Sequence, residues 1–278
     1  MTHSIGSLIA ADDLTLFTRR WTPAGDVRAH VVLVHGVHEH SGRYAALATA
    51  LMRRRLAVHA LDLRGHGRSH GPRGQVEGFD QYVDDVSAFV SEVRAEAGDA
   101  PVFLMGHSMG GLVVASTVAH RGTDGLAGVV LSSPALALDG TPKVLEALAP
   151  FVARWLPDVP VTRLDLGRLS RDPAVVRAYR EDRLTIKRGV RARLGYGIVR
   201  AIEAVRQRPE AFDVPLYLFH GDADTITDPA GTRWLADHAA SDDVTLRLWP
   251  GLYHETLNEP ERDEVIAELA DWLDAHVG

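Results

Sequence analysis

The 278-residue chain contains no cysteine. A disulfide framework, a thiolate nucleophile and a cysteine-ligated metal are thereby excluded, which leaves serine as the covalent catalyst to look for. Lysine is almost missing too: of 30 basic residues only Lys143 and Lys187 are lysines, a bias we attribute to coding composition rather than to function. Nowhere do about 18 apolar residues run together, so no spanning helix is expected. Met1 to Trp21 alternates polar and apolar residues around Asp12 and Asp13 and lacks the apolar core of a signal peptide. A formal net charge of -7 argues against a nucleic-acid binder. Absent cysteine permits a reducing compartment without demanding one, and with no leader or span the expected location is cytoplasmic.

What is present is ordinary for a folded protein: 46% hydrophobic and 24% charged residues, enough for one large core or a core plus an insertion. Met1 to Trp21 reads as a pair of strands, and Ala29 to Val34, Ala57 to Leu61, Leu126 to Ser132, Val214 to His220 and Val244 to Trp249 as further strands. Between them, Tyr44 to Leu56, Phe79 to Val93, Ala230 to Ala240 and Pro260 to Val277 have helical spacing. Alternation of this kind predicts a parallel sheet wrapped by helices. One segment, 139–210, breaks the rhythm with helical patterns and no convincing strand. It holds 15 basic and 9 acidic residues, a surplus of six, leaving -13 on the remainder. The expected organisation is therefore a core of residues 1–138 and 211–278 with a basic helical insertion at 139–210.

The central motif is Gly106-His107-Ser108-Met109-Gly110, a G-x-S-x-G between an apolar strand run (Pro101 to Met105) and an apolar helical run (Leu112 to Ala119). A strand that turns straight into a helix has no room for side chains beside the bend, hence the glycines. The serine is left at the tip, near the amino end of the helix. Ser108 is the expected nucleophile. Its base should be a histidine after a late strand; His254 in Gly251-Leu252-Tyr253-His254 fits, whereas His238 sits within a helix and His276 at the chain end. The orienting carboxylate should follow the strand ending at His220. Of the two acids there, Asp224 is preferred because the turn swings it back toward the sheet, with Asp222 at the apex as the alternative. Ser, Asp, His is the order such sheets use. The Met109 N–H and the Val37 N–H, after the third strand, are expected to hold the oxyanion.

Taken together, His35-Gly36-Val37-His38-Glu39-His40-Ser41-Gly42-Arg43-Tyr44, Gly65-His66-Gly67-Arg68-Ser69, Gly106-His107-Ser108-Met109-Gly110-Gly111 and Gly251-Leu252-Tyr253-His254-Glu255 resemble the monoglyceride lipase family of α/β-hydrolases, in its bacterial form. The resemblance covers most of the chain. It implies an α/β-hydrolase fold, with a mostly parallel eight-stranded sheet and a helical cap inserted after the sixth strand. It also implies a serine hydrolase that cleaves monoacylglycerols to fatty acid and glycerol without a cofactor, with Ser108, Asp224 and His254 as its triad. Glu39, His40 and Arg43 match a run whose polar residues support the glycerol end of the site. His38 stands where that run has a glycine, and is expected to narrow or re-polarise the way in.

Several alternatives fall to the same residues. His35, His38, Glu39 and His40, like His66 and His70, are dense enough to suggest a metal, but they crowd the oxyanion loop beside a complete triad, so no metal is expected. Gly65 to Gly71 lacks a dinucleotide fingerprint and reads as a flexible loop. Serine at the elbow excludes an aspartate-nucleophile dehalogenase or epoxide hydrolase. A lysophospholipase or general carboxylesterase is the alternative enzyme, and a non-catalytic binding homologue the alternative class. The expected partner is a lipid ester, and no nucleic acid. The apolar stretch Val144, Leu145, Leu148, Phe151, Val152, Trp155 and Leu156, set among arginines, predicts peripheral membrane contact.

Overall fold

Runs of Val, Leu and Ala without polar alternation are strands buried on both faces, and four such runs form the middle of the sheet: β3 (Ala29–Val34), β4 (Leu56–Leu61), β5 (Val102–His107) and β6 (Gly128–Ser132) are buried throughout. The computed structural model describes residues 1–137 and 150–277. Its other strands are β1 (Thr2–Ile9), β2 (Thr15–Thr22), β7 (Pro160–Thr162), β8 (Val190–Arg191), β9 (Leu216–Gly221) and β10 (Val244–Trp249). Eight of them make one sheet in the order β1-β2-β4-β3-β5-β6-β9-β10. β1 and β2 enter antiparallel, and every pairing from β4 to β10 is parallel.

This order decides where chemistry can happen. From β3 the chain steps to β4 on one side and then returns to β5 on the other, so the loops leaving β3 and β5 diverge at their carboxyl ends and open a crevice. One loop begins with His35 and Gly36; the other is the Ser108 bend. Helices Ala45–Arg53 and Arg262–Ala275 cover one face of the sheet, and helices Asp80–Ala97, Met109–Arg121, Ala192–Arg206 and Pro229–His238 the other. Helix Met109–Arg121 is buried from Met109 to Ala119 with no polar face, because the sheet lies on one side of it and two other helices pack over it.

Two expectations need correction. The stretch between β6 and β9 is not helical throughout: β7 and β8 pair there as an antiparallel ladder, beside helical residues 150–155, Pro173–Glu181 and Ala192–Arg206. Strands of three and two residues leave too little alternation to register in a sequence. Nor is Gly65 to Gly71 a flexible loop. It is cross-bonded (Gly65 N–H to His70 O, 2.8 Å; Gly74 N–H to Gly65 O, 3.0 Å) and anchored to buried Asp62, which accepts from the Arg68 N–H at 2.8 Å. The same carboxylate accepts from Ser41 N–H and Oγ at 2.8 and 2.5 Å, joining this loop to the one after β3. Among the described residues no helix is long and apolar enough to cross a membrane.

Candidate active site

β5 runs into helix Met109–Arg121 with Ser108 alone at the bend, at φ 55°, ψ -123°. A residue with a Cβ rarely adopts that conformation, and here it is held by two backbone bonds, Ser108 N–H to Ser132 O (2.9 Å) and Leu112 N–H to Ser108 O (3.1 Å). Glycine is required on both sides. A Cβ on Gly106 would strike the Gly110 carbonyl, while one on Gly110 would strike the carbonyls of Val34 and His35 at the end of β3. The second clash was not foreseen from the turn alone: Gly110 lets the helix approach the neighbouring strand.

At the tip of this bend the buried Ser108 Oγ lies 2.8 Å from His254 Nε2, and His254 Nδ1 lies 2.7 Å from Asp224 Oδ2. Ser108 follows β5, Asp224 follows β9 and His254 follows β10, so three parallel strands of one sheet, with β6 between β5 and β9, deliver one hydrogen-bonded chain. Asp224 is further saturated by the Ile226 N–H (2.7 Å) and Thr227 N–H (3.2 Å) on Oδ1, and by Thr227 Oγ1 (2.8 Å) and His220 Nε2 (2.9 Å) on Oδ2. Burial opposes its ionisation, yet the bonds from His220 and His254 outweigh burial and hold the carboxyl well below the usual carboxylate range. The alternative acid, Asp222, is exposed and accepts the Gly251 N–H at 2.6 Å, tying the two loops together away from His254. His238 and His276 lie elsewhere, bonded to Trp234 O and to Trp272 O and Asp243 respectively.

The loop after β3 closes the other side of the crevice. His35 accepts the Leu63 N–H on Nε2 (2.9 Å), which leaves Nδ1 to donate to Gly36 O (2.7 Å) and fixes the turn. Glu39 accepts from the Gly36 N–H and the Tyr44 hydroxyl, both at 2.7 Å, and from Arg43 at 2.7 Å; Arg43 then forks onto both oxygens of Glu255 at 2.6 and 2.7 Å. Burial would raise the Glu39 pKa, but Arg43 prevails and holds it at about 2. Val37 faces the space over Ser108, and the described residues give neither its N–H nor that of Met109 a hydrogen-bond acceptor. Both are available to a developing oxyanion.

His38 departs from expectation. Its φ is 64° and its ring is buried beside His66 and Gly74, where burial lowers its pKa to about 4. It does not line the space over Ser108; its neighbours Val37 and Glu39 do. Its contribution is its carbonyl, which accepts from Tyr179 Oη (3.0 Å) and the Ile186 N–H (2.9 Å). His40 likewise faces away, bonded through Nε2 to Asp182 at 2.8 Å, with Nδ1 accepting the Gly42 N–H. Both ring nitrogens of His35 and both of His40 are thus engaged in hydrogen bonds. A different trio, His30, His59 and Glu96, brings ligand atoms within 4.8 Å of one another, but Arg20 is ion-paired to Glu96 and sets a positive charge where a cation would go.

The cavity over Ser108 is walled by Val37, Glu39, His107, His254 and Glu255 from the core, and by Leu164, Leu169 and Tyr179 from the segment between β6 and β9. Its volume is about 10 Å³, room for roughly one water. The last three residues, with His107, His220 and Glu255, were not singled out from the sequence. His220, His107 and Glu255 each adjoin a motif that was read, and nothing local marks the two leucines and Tyr179, which reach the site only through tertiary packing.

The profile of the Hydrolase_4 family, described as Serine aminopeptidase, S33, matches residues 25–261. The chain belongs to this family. It is 40% identical over 262 residues to the monoacylglycerol lipase of Mycolicibacterium smegmatis, covering 92% of each chain. It is 37% identical to the human monoglyceride lipase, over 96% of this chain and 89% of that one. The crystal structure of the Paleococcus ferrophilus monoacylglycerol lipase superposes with a TM-score of 0.84 at 35% identity, covering 94% and 99% of the two chains. The fold of this Hydrolase_4 member is that of the α/β-hydrolases.

Proposed function

We propose that the chain is a serine hydrolase that cleaves monoacylglycerols to fatty acid and glycerol through an acyl-enzyme. The observation that carries this reading is the hydrogen-bonded chain Ser108–His254–Asp224 beside two free backbone N–H groups. Ser108 Oγ adds to the ester carbonyl as its proton passes to His254 Nε2, and Asp224 stabilises the resulting imidazolium. The N–H groups of Val37 and Met109 take the oxyanion. Collapse breaks the bond to the glycerol oxygen, which leaves with the proton from His254. Water then repeats the sequence on the acyl-enzyme, releasing the fatty acid and restoring Ser108. Each step moves one proton between His254 and oxygen, and no cofactor is needed.

In this reading residues 139–210 form a cap on a core of 1–138 and 211–278, and Leu164, Leu169 and Tyr179 are its underside. The carboxylates of Glu39 and Glu255, held in place by Arg43, supply acceptors for the hydroxyls of a polyol leaving group. The outer side of the cap suits a lipid surface. Phe151, Trp155 and Leu156 are 61%, 64% and 54% exposed, Val159 and Val161 extend the patch, and exposed Arg154, Arg163, Lys187 and Arg188 surround it. Val144, Leu145 and Leu148, expected to share that patch, lie outside the described residues. Peripheral, reversible docking on anionic membranes follows.

The decisive experiment compares turnover of monoacylglycerols, diacylglycerols, lysophospholipids and short p-nitrophenyl esters side by side, with Ser108 labelled by a fluorophosphonate. Monoacylglycerol should be the preferred lipid. Preference for lysophospholipid, or for short esters alone, would replace the substrate while keeping the chemistry; no turnover of any ester would reject the enzyme.

A further inference from the structure

A second histidine shares the carboxylate oxygen that His254 uses. His220 is the penultimate residue of β9, fully buried, with Nε2 at 2.9 Å from Asp224 Oδ2 and Nδ1 at 2.6 Å from Thr232 Oγ1 on helix Pro229–His238. Because ionised Asp224 only accepts, Nε2 must carry a proton, and a neutral ring then accepts the Thr232 hydroxyl proton on Nδ1. The ring is thus locked between a helix and the acid. Its Nε2–H also lies 3.2 Å from Thr227 O, in the turn that follows Asp224.

We propose that His220 is a positioning residue for ester hydrolysis: its Nε2–H keeps Oδ2 of Asp224 aimed at His254 and draws negative charge from it, so that the shared proton stays on His254 Nδ1. The inference rests on the triad reading above. A donor on the same oxygen competes with His254 for the carboxylate charge, and that lowers the basicity of Asp224 without breaking the chain to Ser108. The other charged and titratable groups facing this centre are Glu255 beside His254, His107 from β5, whose ring lies 4.9 Å from that of His254, and Glu39 and Arg43 from the loop after β3. Among the described residues none of these bonds to Asp224, so besides His254 only His220 is a titratable neighbour that acts on the acid directly. Helix Pro229–His238 contributes only Thr232.

Two measurements test this. In the wild-type protein labelled with ¹⁵N-histidine, with His220 assigned by comparison with His220→Gln, the neutral ring should carry its proton on Nε2 and leave Nδ1 bare. A proton on Nδ1 with bare Nε2 would overturn the proposal whether or not the protein turns over esters. Kinetically, His220→Leu should lower kcat on a p-nitrophenyl ester by about 10- to 100-fold, the effect of one lost bond to a charged group. KM should stay within about twofold, and the acid limb of kcat/KM should move to higher pH. His220→Gln, whose amide reaches the Nε2 position, should recover activity to within about threefold and return the limb. If Leu and Gln variants fall equally with an unmoved limb, His220 is packing only, and the proposal fails. If His220→Leu does not fold, the tautomer measurement and the Gln profile still decide.

Discussion

Replacing Asp224 by asparagine exchanges one oxygen for an NH₂ group, and the surroundings leave that group no good place. On the Oδ1 side it would face the N–H groups of Ile226 and Thr227, two donors on the rigid backbone of the turn. On the Oδ2 side it would face His254 Nδ1, His220 Nε2 and Thr227 Oγ1. The second arrangement can be relieved, because the imidazole of His254 can shift its proton to Nε2 and accept from the amide. That relief is fatal to catalysis: Nε2–H then points at Ser108 Oγ, 2.8 Å away, and no longer accepts its proton. The expected loss in kcat is on the order of 10⁴-fold, about 5 kcal/mol of transition-state stabilisation, with KM changed far less. Asp222→Asn keeps an oxygen for the Gly251 N–H and should stay within about threefold of wild type. The assay is steady-state hydrolysis of a short p-nitrophenyl ester by both variants, with circular dichroism to confirm folding. A larger loss in Asp222→Asn than in Asp224→Asn would refute the assignment of the acid.

Ser108→Ala should lower turnover by roughly 10⁴- to 10⁶-fold and abolish fluorophosphonate labelling while the protein remains folded; turnover within tenfold of wild type would remove Ser108 from the mechanism. Arg43 holds the Glu39 carboxyl well below its ordinary value of 4.5 despite burial, so its stabilisation is present above pH 4.5 and lost as pH falls below it. Urea titrations from pH 5 to 2.5 should show a shallower acid slope for Glu39→Gln, and an unchanged slope would contradict the buried carboxylate. Phe151→Ser with Trp155→Ser should weaken sedimentation with anionic vesicles and slow long-chain monoacylglycerol hydrolysis, leaving a soluble short ester nearly unaffected; equal slowing of both substrates would make the patch structural. His38→Gly should leave the monoacylglycerol to p-nitrophenyl ester rate ratio unchanged, since the ring does not line the space over Ser108; a shifted ratio would place it back at the site.

The strand and helix alternation, the glycines around Ser108 and the order Ser, Asp, His are local signals, which is why the sheet and the elbow could be read from residues alone. The bounds moved only at the ends: the helix expected at Phe79 to Val93 is Asp80–Ala97, and the strand expected from Val214 begins at Leu216. What sequence order hid were contacts made by folding back. Leu164, Leu169 and Tyr179 belong to a segment separated from Ser108 by more than fifty residues, and their role depends on where β7 and β8 turn the chain. His38 misled for a different reason. Its place in a polar run suggested a side chain facing substrate, whereas at the positive φ of that position, the reason a glycine suits it, the ring is buried.

The roof over Ser108 is fastened unevenly. Residues 168–171 are bonded to the loop after β10, through Leu169 O, Ser170 Oγ and the Arg171 to Glu259 pair, and residues 179–186 to the loops after β3 and β4, through Tyr179, Asp182, Leu184 O and Ile186. Residues 150–163 differ: their described hydrogen bonds and ion pair reach only one another and residues 190–193. Lifting Leu164 with that flap therefore breaks no described bond to the sheet or its loops, while moving Leu169 or Tyr179 breaks several. The same flap carries the exposed Phe151, Trp155 and Leu156. An acyl chain leaving a bilayer through this flap would pass from lipid to Leu164 and on to the serine without ever being hydrated, and the energy of desorption into water would not enter the reaction path.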